Sequence, residues 1–201
     1  MTVTFLAGLT GFAFVSSITP GPNNLMLMAS GANFGLRRSV PHMLGVSLGF
    51  GLMVLLIGWG VAGLMAAAPG LYLAIKWLGG GYLVYLAWKI GSAKGIGSGA
   101  QADRPQTFLQ AAAFQWVNPK AWGMALGAVA TYVTRDNLLA SAALVALIFT
   151  LVNAPCIFTW AAFGVALQRG LTHPAAMRAF NIGMAALLLL SLYPLLVDHP
   201  A

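Results

Sequence analysis

Thr19-Pro20-Gly21-Pro22-Asn23-Asn24 interrupts an apolar run that extends from about Val3 to about Phe34. Each proline lacks an amide donor, and its ring disfavours helical geometry at the residue before it. The stretch therefore predicts two helical pieces, one ending near Ile18 and one beginning near Asn24. Neither piece is long enough to cross a bilayer alone. Together they hold roughly 30 residues, about 45 Å of helix, enough for one span with a break inside it. Irregular backbone at membrane depth is tolerated only where protein buries it or where it lines a wet cavity. Broken helices of this kind mark binding sites in secondary transporters.

The rest of the chain fits a membrane setting. It is 60% hydrophobic and 6% charged, with a mean hydropathy of +0.85, whereas a soluble domain carries about 25% charged residues. An all-α integral membrane protein is the fold class expected. The net charge of +7 comes from 10 Lys+Arg against 3 Asp+Glu. The basic residues are dispersed among apolar runs, so they are read as topology signals and not as a nucleic-acid surface. Cys156 is the single cysteine, which leaves neither an intramolecular disulfide nor a thiol pair. The start, Met1-Thr2-Val3-Thr4, lacks the basic residues of a secretory signal and is expected to be a retained part of the first span.

Six transmembrane helices are expected. The first run ends at Arg37-Arg38. The second covers about Pro41 to Ala67, with a tight turn at Ala68-Pro69-Gly70, and the third about Leu71 to Ile90. A polar connector, Gly91 to Gln106, separates a first half (about 1–90) from a second (about 107–201) within a single transporter domain. The fourth run, about Thr107 to Val133, carries Gln115, Asn118, Pro119 and Lys120 in its middle. The fifth covers about Leu138 to Leu167, a polar loop runs from Gln168 to Arg178, and the sixth covers about Ala179 to Val197. Arg37, Arg38, Lys94, Arg104, Arg169 and Arg178 fall in the odd-numbered loops. Those loops should be cytoplasmic, with both termini on the periplasmic side. Laying Pro119 on Pro20 aligns second run with fifth and third with sixth. This is a 3+3 inverted repeat with proline-broken first and fourth helices.

Three groups of residues are candidates for substrate binding. In the first, Thr19, Pro20, Gly21 and Pro22 free backbone groups that must find partners. Asn23 and Asn24 add side-chain donors and acceptors at the start of a half-helix, whose free amides favour an anion. A kink satisfied by neighbouring helices is the plainer reading of the same residues. The second group is Gln115, Asn118, Pro119 and Lys120. Lys120 lies roughly 20 Å from the cytoplasmic end of its span. A lysine there costs at least ~2.5 kcal/mol on insertion scales, which makes it a functional candidate. It could hold a substrate carboxylate, take part in coupling by losing its proton, or donate to carbonyls freed in the first span. Asn153, near Pro155, is a third candidate, or simply interhelical glue. Lys76 is expected to snorkel. Tyr72, Trp77, Tyr82, Tyr85 and Trp88 are expected in interfacial belts, and His42 at the interface. Gly45, Gly49 and Gly79-Gly80-Gly81 are expected at close helix crossings.

Absences narrow the chemistry. Asp103 and Asp136 fall in loops and Asp198 near the C-terminus, so no span carries a carboxylate relay. Cys156 and three scattered histidines form no metal site, and no cofactor is expected. No nucleophile with a base stands out for an intramembrane hydrolase.

Ile18-Thr19-Pro20-Gly21-Pro22-Asn23-Asn24, Gly45-Val46-Ser47-Leu48-Gly49-Phe50, Tyr85-Leu86-Ala87-Trp88-Lys89 and Phe114-Gln115-Trp116-Val117-Asn118-Pro119-Lys120 together resemble the lysine exporter family over essentially the whole chain. That family includes homoserine/threonine, leucine and cysteine/O-acetylserine exporters. The resemblance implies a bacterial inner-membrane protein, not an enzyme, that exports amino acids or close derivatives using the proton gradient. Family members often carry an aspartate just after Pro-Gly-Pro. Asn23 stands there in this chain, which speaks against a strongly cationic substrate and against carboxylate-based coupling. The Asn-Asn version looks more like the branch near the cysteine/O-acetylserine exporter. The expected substrate is a small neutral amino acid, the expected surroundings are membrane lipid, a homodimer is open, and no nucleic-acid partner is expected. The rival reading is a passive channel or facilitator for small polar solutes.

Overall fold

Residues 2–61, 69–93, 104–171 and 173–193 are described by the computed structural model. Among them are eight α-helices and no strand. They are α1 (Val3–Ile18), α2 (Pro22–Phe34), α3 (Leu36–Leu56, continued by a π turn, Ile57–Val61) and α4 (Pro69–Gly91). Then come α5 (Phe108–Phe114), α6 (Pro119–Tyr132), α7 (Leu138–Gly170) and α8 (Pro174–Leu190).

Both expected proline breaks are present. α1 and α2 meet at an angle of 56°. Thr19 and Gly21 are extended between them, and Pro22 takes the first position of α2, where its missing amide and fixed φ do no harm. The second break is built differently. α5 tightens into a 3-10 turn, Gln115–Val117, and Asn118 is extended before Pro119 opens α6. α5 itself starts with a capping box between Thr107 and Gln110. Gly35 joins α2 to α3 at φ 77°, a backbone conformation that a side chain would strain.

Other expected boundaries move. Pro69 and Gly70 begin α4 instead of forming a turn, because proline at a first helical position nucleates as readily as it terminates. Pro174 does the same for α8, so Arg178 lies within the helix and not in the preceding loop. The fifth run, by contrast, is one helix: α7 continues through Pro155 without a break. The middle of the polar connector, with Lys94 and Asp103, lies outside the described residues, as do Ala68, Asp198 and the side chains of Tyr72 and Lys76.

α7 is the axis of the bundle and touches α1, α2 and α3 along its length. Small residues set these crossings. A Cβ at Gly31 would meet the carbonyl of Ala161, and one at Gly164 would meet the carbonyl of Met28, so α2 and α7 lie backbone to backbone. Gly45 and Gly49 bring α3 equally close to Phe108 and Ala112 of α5, and Gly79 seats α4 on the carbonyl of Val117. Close approach at small residues is how helices associate where water offers no driving force. Phe149 of α7 is fully buried, with Phe12 of α1 at 5.9 Å and Phe50 of α3 at 5.5 Å, both edge-on. Leu44, Leu48 and Leu52 form an outward stripe on α3. By length and composition α3 and α7 are each able to cross a membrane, and the bent pair α1–α2 is a third such segment. This is a membrane protein.

A buried amide pair ties the second helix to the last. Asn33 and Asn181 exchange hydrogen bonds at 2.7 and 2.9 Å, and Asn181 also donates to the carbonyl of Ala93 at 3.0 Å. Asn181→Ala strands the side-chain oxygen of Asn33 and the Ala93 carbonyl, while the Asn33 amide keeps its bond to the carbonyl of Ala29. Unsatisfied buried groups cost about 1–3 kcal/mol, so the thermal midpoint in detergent should fall by roughly 3–10 °C. A midpoint unchanged within error would show that the pair contributes nothing net.

Candidate functional site: two helix breaks around a polar cavity

Breaking a helix frees carbonyls, and in a membrane each must find a donor. At the first break the donors come from three elements. Asn24 of α2 reaches back to the carbonyls of Ser17 at 2.9 Å and Thr19 at 2.8 Å. The indole of Trp160 on α7 donates to Ile18 at 3.0 Å. The ammonium of Lys120 on α6 donates to the carbonyl of Thr19 and, at 3.3 Å, to that of Pro20. The second break uses similar devices. The side chain of Asn118 accepts from the Lys120 amide at 3.1 Å, and the indole of Trp122 donates to the carbonyl of Trp116 at 2.8 Å.

The two breaks therefore meet. Lys120 begins in one and ends on the other. Gly21 makes this possible by absence of bulk, since a Cβ there would run into the Lys120 side chain. A second bridge lies beside the first. Asn23 donates to Gln115 at 2.8 Å, and Gln115 donates back at 3.2 Å and also to Ala111 at 2.8 Å. Asp136 is the one carboxylate among the described residues, and it sits in the turn beyond the far end of α6. Lys120 is thus a half-buried cation whose hydrogen-bond partners among the described residues are neutral carbonyls.

A polar cavity opens at this junction. Gly21, Asn23, Asn24, Gln115, Asn118, Lys120 and Asn153 all line it. About 20 Å³ is open to the centre of a water molecule, room for about one or two waters. The cavity is narrow. Ser17 lines the cavity with a buried hydroxyl that has no partner among the described residues. Asn153, from the axis helix, is 5% exposed and makes no hydrogen bond among the described residues. The site therefore offers a cation on one wall and spare amide and hydroxyl groups on the others.

A family model described as LysE type translocator matches residues 14–196, a range that contains both breaks and every residue of the cavity. The chain belongs to the LysE type translocator family. It is 33% identical over 195 residues to a cysteine/O-acetylserine efflux protein of Escherichia coli O139:H28, covering 94% of this chain and 96% of that one. It is also 33% identical over 194 residues to the protein of that description from Escherichia coli strain K12, covering 94% and 95%. The counterpart from Salmonella typhimurium strain LT2 is 31% identical over 194 residues, with the same coverage. No solved structure gives a significant match. Family membership makes this protein a transporter and not an enzyme.

Within this LysE translocator the remaining candidate residues shape the site from outside the cavity. The Thr19 side chain is exposed and its hydroxyl bonds back to the Val15 carbonyl, closing α1. Pro20 is exposed, Pro22 is buried behind the break, and Pro119 is half-buried at the head of α6. Sequence reading missed Ser16, Ser17, Phe50, Ala121 and Met124 in the lining and Trp160 behind it. Two signals pointed to some of them. Ser16-Ser17 lies one turn before the proline motif, and Trp160 lies two helical turns after Asn153, on the same face of α7. Phe50 and Met124 carry no polar signature.

Proposed function

We propose that this translocator exports small neutral amino acids or their close derivatives across the bacterial inner membrane, coupled to the proton gradient. The observation that carries the reading is Lys120: an ammonium at the junction of two helix breaks, held among the described residues by carbonyls alone and facing a cavity of uncharged amides. The relatives named for cysteine and O-acetylserine efflux support a substrate of that size and charge. Among the described residues the cavity has no carboxylate to hold a second positive charge, which favours a neutral side chain over a cationic one.

The site residues then have separate roles. The substrate carboxylate binds Lys120 and the free amides at the start of α2 near Asn23 and Asn24. Its ammonium binds the side-chain carbonyls of Gln115, Asn118 and Asn153. A carboxylate that draws Lys120 to itself also releases the carbonyls of Thr19 and Pro20. Those carbonyls become acceptors for the ammonium. Binding thus exchanges a bond between the two breaks for bonds through the substrate, and this exchange is the step that lets the halves rock.

The architecture proposed for that motion is six spans in a 3+3 inverted repeat, with residues 91–106 linking halves 1–90 and 107–201 and both termini in the periplasm. The pairs α1–α2 and α5–α6 are equivalent, as are α3 and α7, and α4 and α8. The packing of α3 on α7 and of α4 on α8 supports it, because a pseudo-two-fold axis maps each of those pairs onto itself. The test is flux of labelled O-acetylserine and cysteine in proteoliposomes, with and without an imposed pH gradient. Accumulation driven by the gradient is expected. Flux that only equilibrates, gradient or not, marks a passive facilitator, and no flux of any neutral amino acid removes the reading.

A further inference from the structure

A second cavity lies at the end of the bundle that carries Arg37 and Arg38. It is formed where α2 ends, α3 begins, α4 ends and the chain leads into α5. About 50 Å³ is open to the centre of a water molecule, more than in the Lys120 cavity. Its walls are largely apolar, with Met26 and Leu86 among them. Two of the polar side chains on those walls are left incompletely bonded. His42 is 1% exposed and neither ring nitrogen has a hydrogen-bond partner among the described residues. Gln106 is 7% exposed; its amide nitrogen reaches the Tyr82 hydroxyl at 3.3 Å, but its carbonyl has no partner among the described residues. Lys89 and Arg104 line the same cavity. They stand at its rim, where the Lys89 ammonium donates to the Arg104 carbonyl at 3.0 Å.

An orphaned buried polar group costs about 1–3 kcal/mol. Two of them, on different elements and facing one space, are sustained where a ligand supplies the missing bonds. The Gln106 carbonyl and the bare ring nitrogen of His42 call for a donor such as an ammonium, and the ring N–H of His42, with the two cations at the rim, calls for a carboxylate. A zwitterion satisfies both. We infer that this cavity is a second solute site, in which His42 and Gln106 receive the ammonium of a neutral amino acid and Lys89 and Arg104 hold its carboxylate before it moves to the Lys120 cavity. The inference rests on the exporter reading and on the Arg37–Arg38 end facing the cytoplasm.

The test uses inside-out membrane vesicles, which present that end to the medium, and initial rates of labelled O-acetylserine uptake. His42→Leu and Gln106→Leu should each raise KM at least about tenfold while leaving the maximal rate within about twofold. His42→Leu should not lower the melting temperature, because it removes an unsatisfied buried group. Gln106 lies in the connector before α5, so its variant reads the site even if His42→Leu fails to fold. Unchanged KM in folded variants, with the unsubstituted protein active, overturns the second site alone and marks the cavity as a water store. An unsubstituted protein that moves no neutral amino acid overturns the exporter reading, and this role with it.

Discussion

Replacing Lys120 by methionine should reduce amino-acid flux to less than about a hundredth while leaving a folded protein at normal levels. The two halves of this expectation have separate causes. Truncating one member of a desolvated charge pair costs about 2–5 kcal/mol, and each 1.4 kcal/mol is tenfold in an equilibrium constant. The loss falls on substrate, because the carboxylate then meets no cation. The fold is protected by redundancy. The Thr19 carbonyl retains its bond from Asn24, and Pro20 is exposed. In the proposed six-span architecture Lys120 lies mid-membrane, and removing it there also relieves at least ~2.5 kcal/mol of insertion cost. Flux in proteoliposomes, with the melting temperature and yield measured beside it, checks both halves. A methionine variant that transports at full rate would return Lys120 to a structural role. A variant that fails to fold would show that its carbonyl contacts matter more than its charge.

Gly164→Leu has the opposite signature: it should abolish the folded protein itself. A side chain there meets the carbonyl of Met28 and the amide of Ala32. Those atoms are backbone of a neighbouring helix and cannot swing aside. Overpacking costs about 1–3 kcal/mol where side chains can adjust, and here two helices must separate along the tightest crossing in the bundle. Gly31→Leu should do the same from the other helix, since its Cβ would strike the carbonyl of Ala161. Gly123→Ala is the control. Nothing lies within 4 Å of a Cβ at that position, and alanine in a helix interior is worth about 0.5–1 kcal/mol over glycine. Yield of monodisperse protein in detergent should collapse for the first two and hold or rise for the third. Normal yield of Gly164→Leu would mean that α2 and α7 do not cross where the structure places them.

The sequence disclosed the breaks because proline acts locally. Pro20, Pro22 and Pro119 each remove an amide donor wherever the chain goes, and the asparagines beside them are the residues that cap irregular backbone. What it could not disclose is which groups answer each other across the bundle. Nothing local says that Trp160 on α7 caps Ile18 or that Asn23 pairs with Gln115. Those bonds depend on the register of helices far apart in the chain. Proline also misled where its effect depends on position. Pro69 and Pro174 start helices. His42 shows the same limit from another side. A histidine shortly after two arginines suggests an interface residue, yet His42 is almost completely buried, on the wall of a cavity it shares with residues of α2 and α4.

Substrate protection at Ser17 tests the site most directly. Its hydroxyl is buried in the cavity and unpartnered among the described residues, so Ser17→Cys in a Cys156→Ser background places a single thiol there at little structural cost. In transport-competent proteoliposomes, saturating O-acetylserine should slow labelling of the introduced thiol by a small thiol reagent at least about fivefold, and Lys120→Met should abolish that protection. Labelling at the same rate with and without substrate, in a preparation that still transports, would contradict the account, because the solute would then be crossing elsewhere.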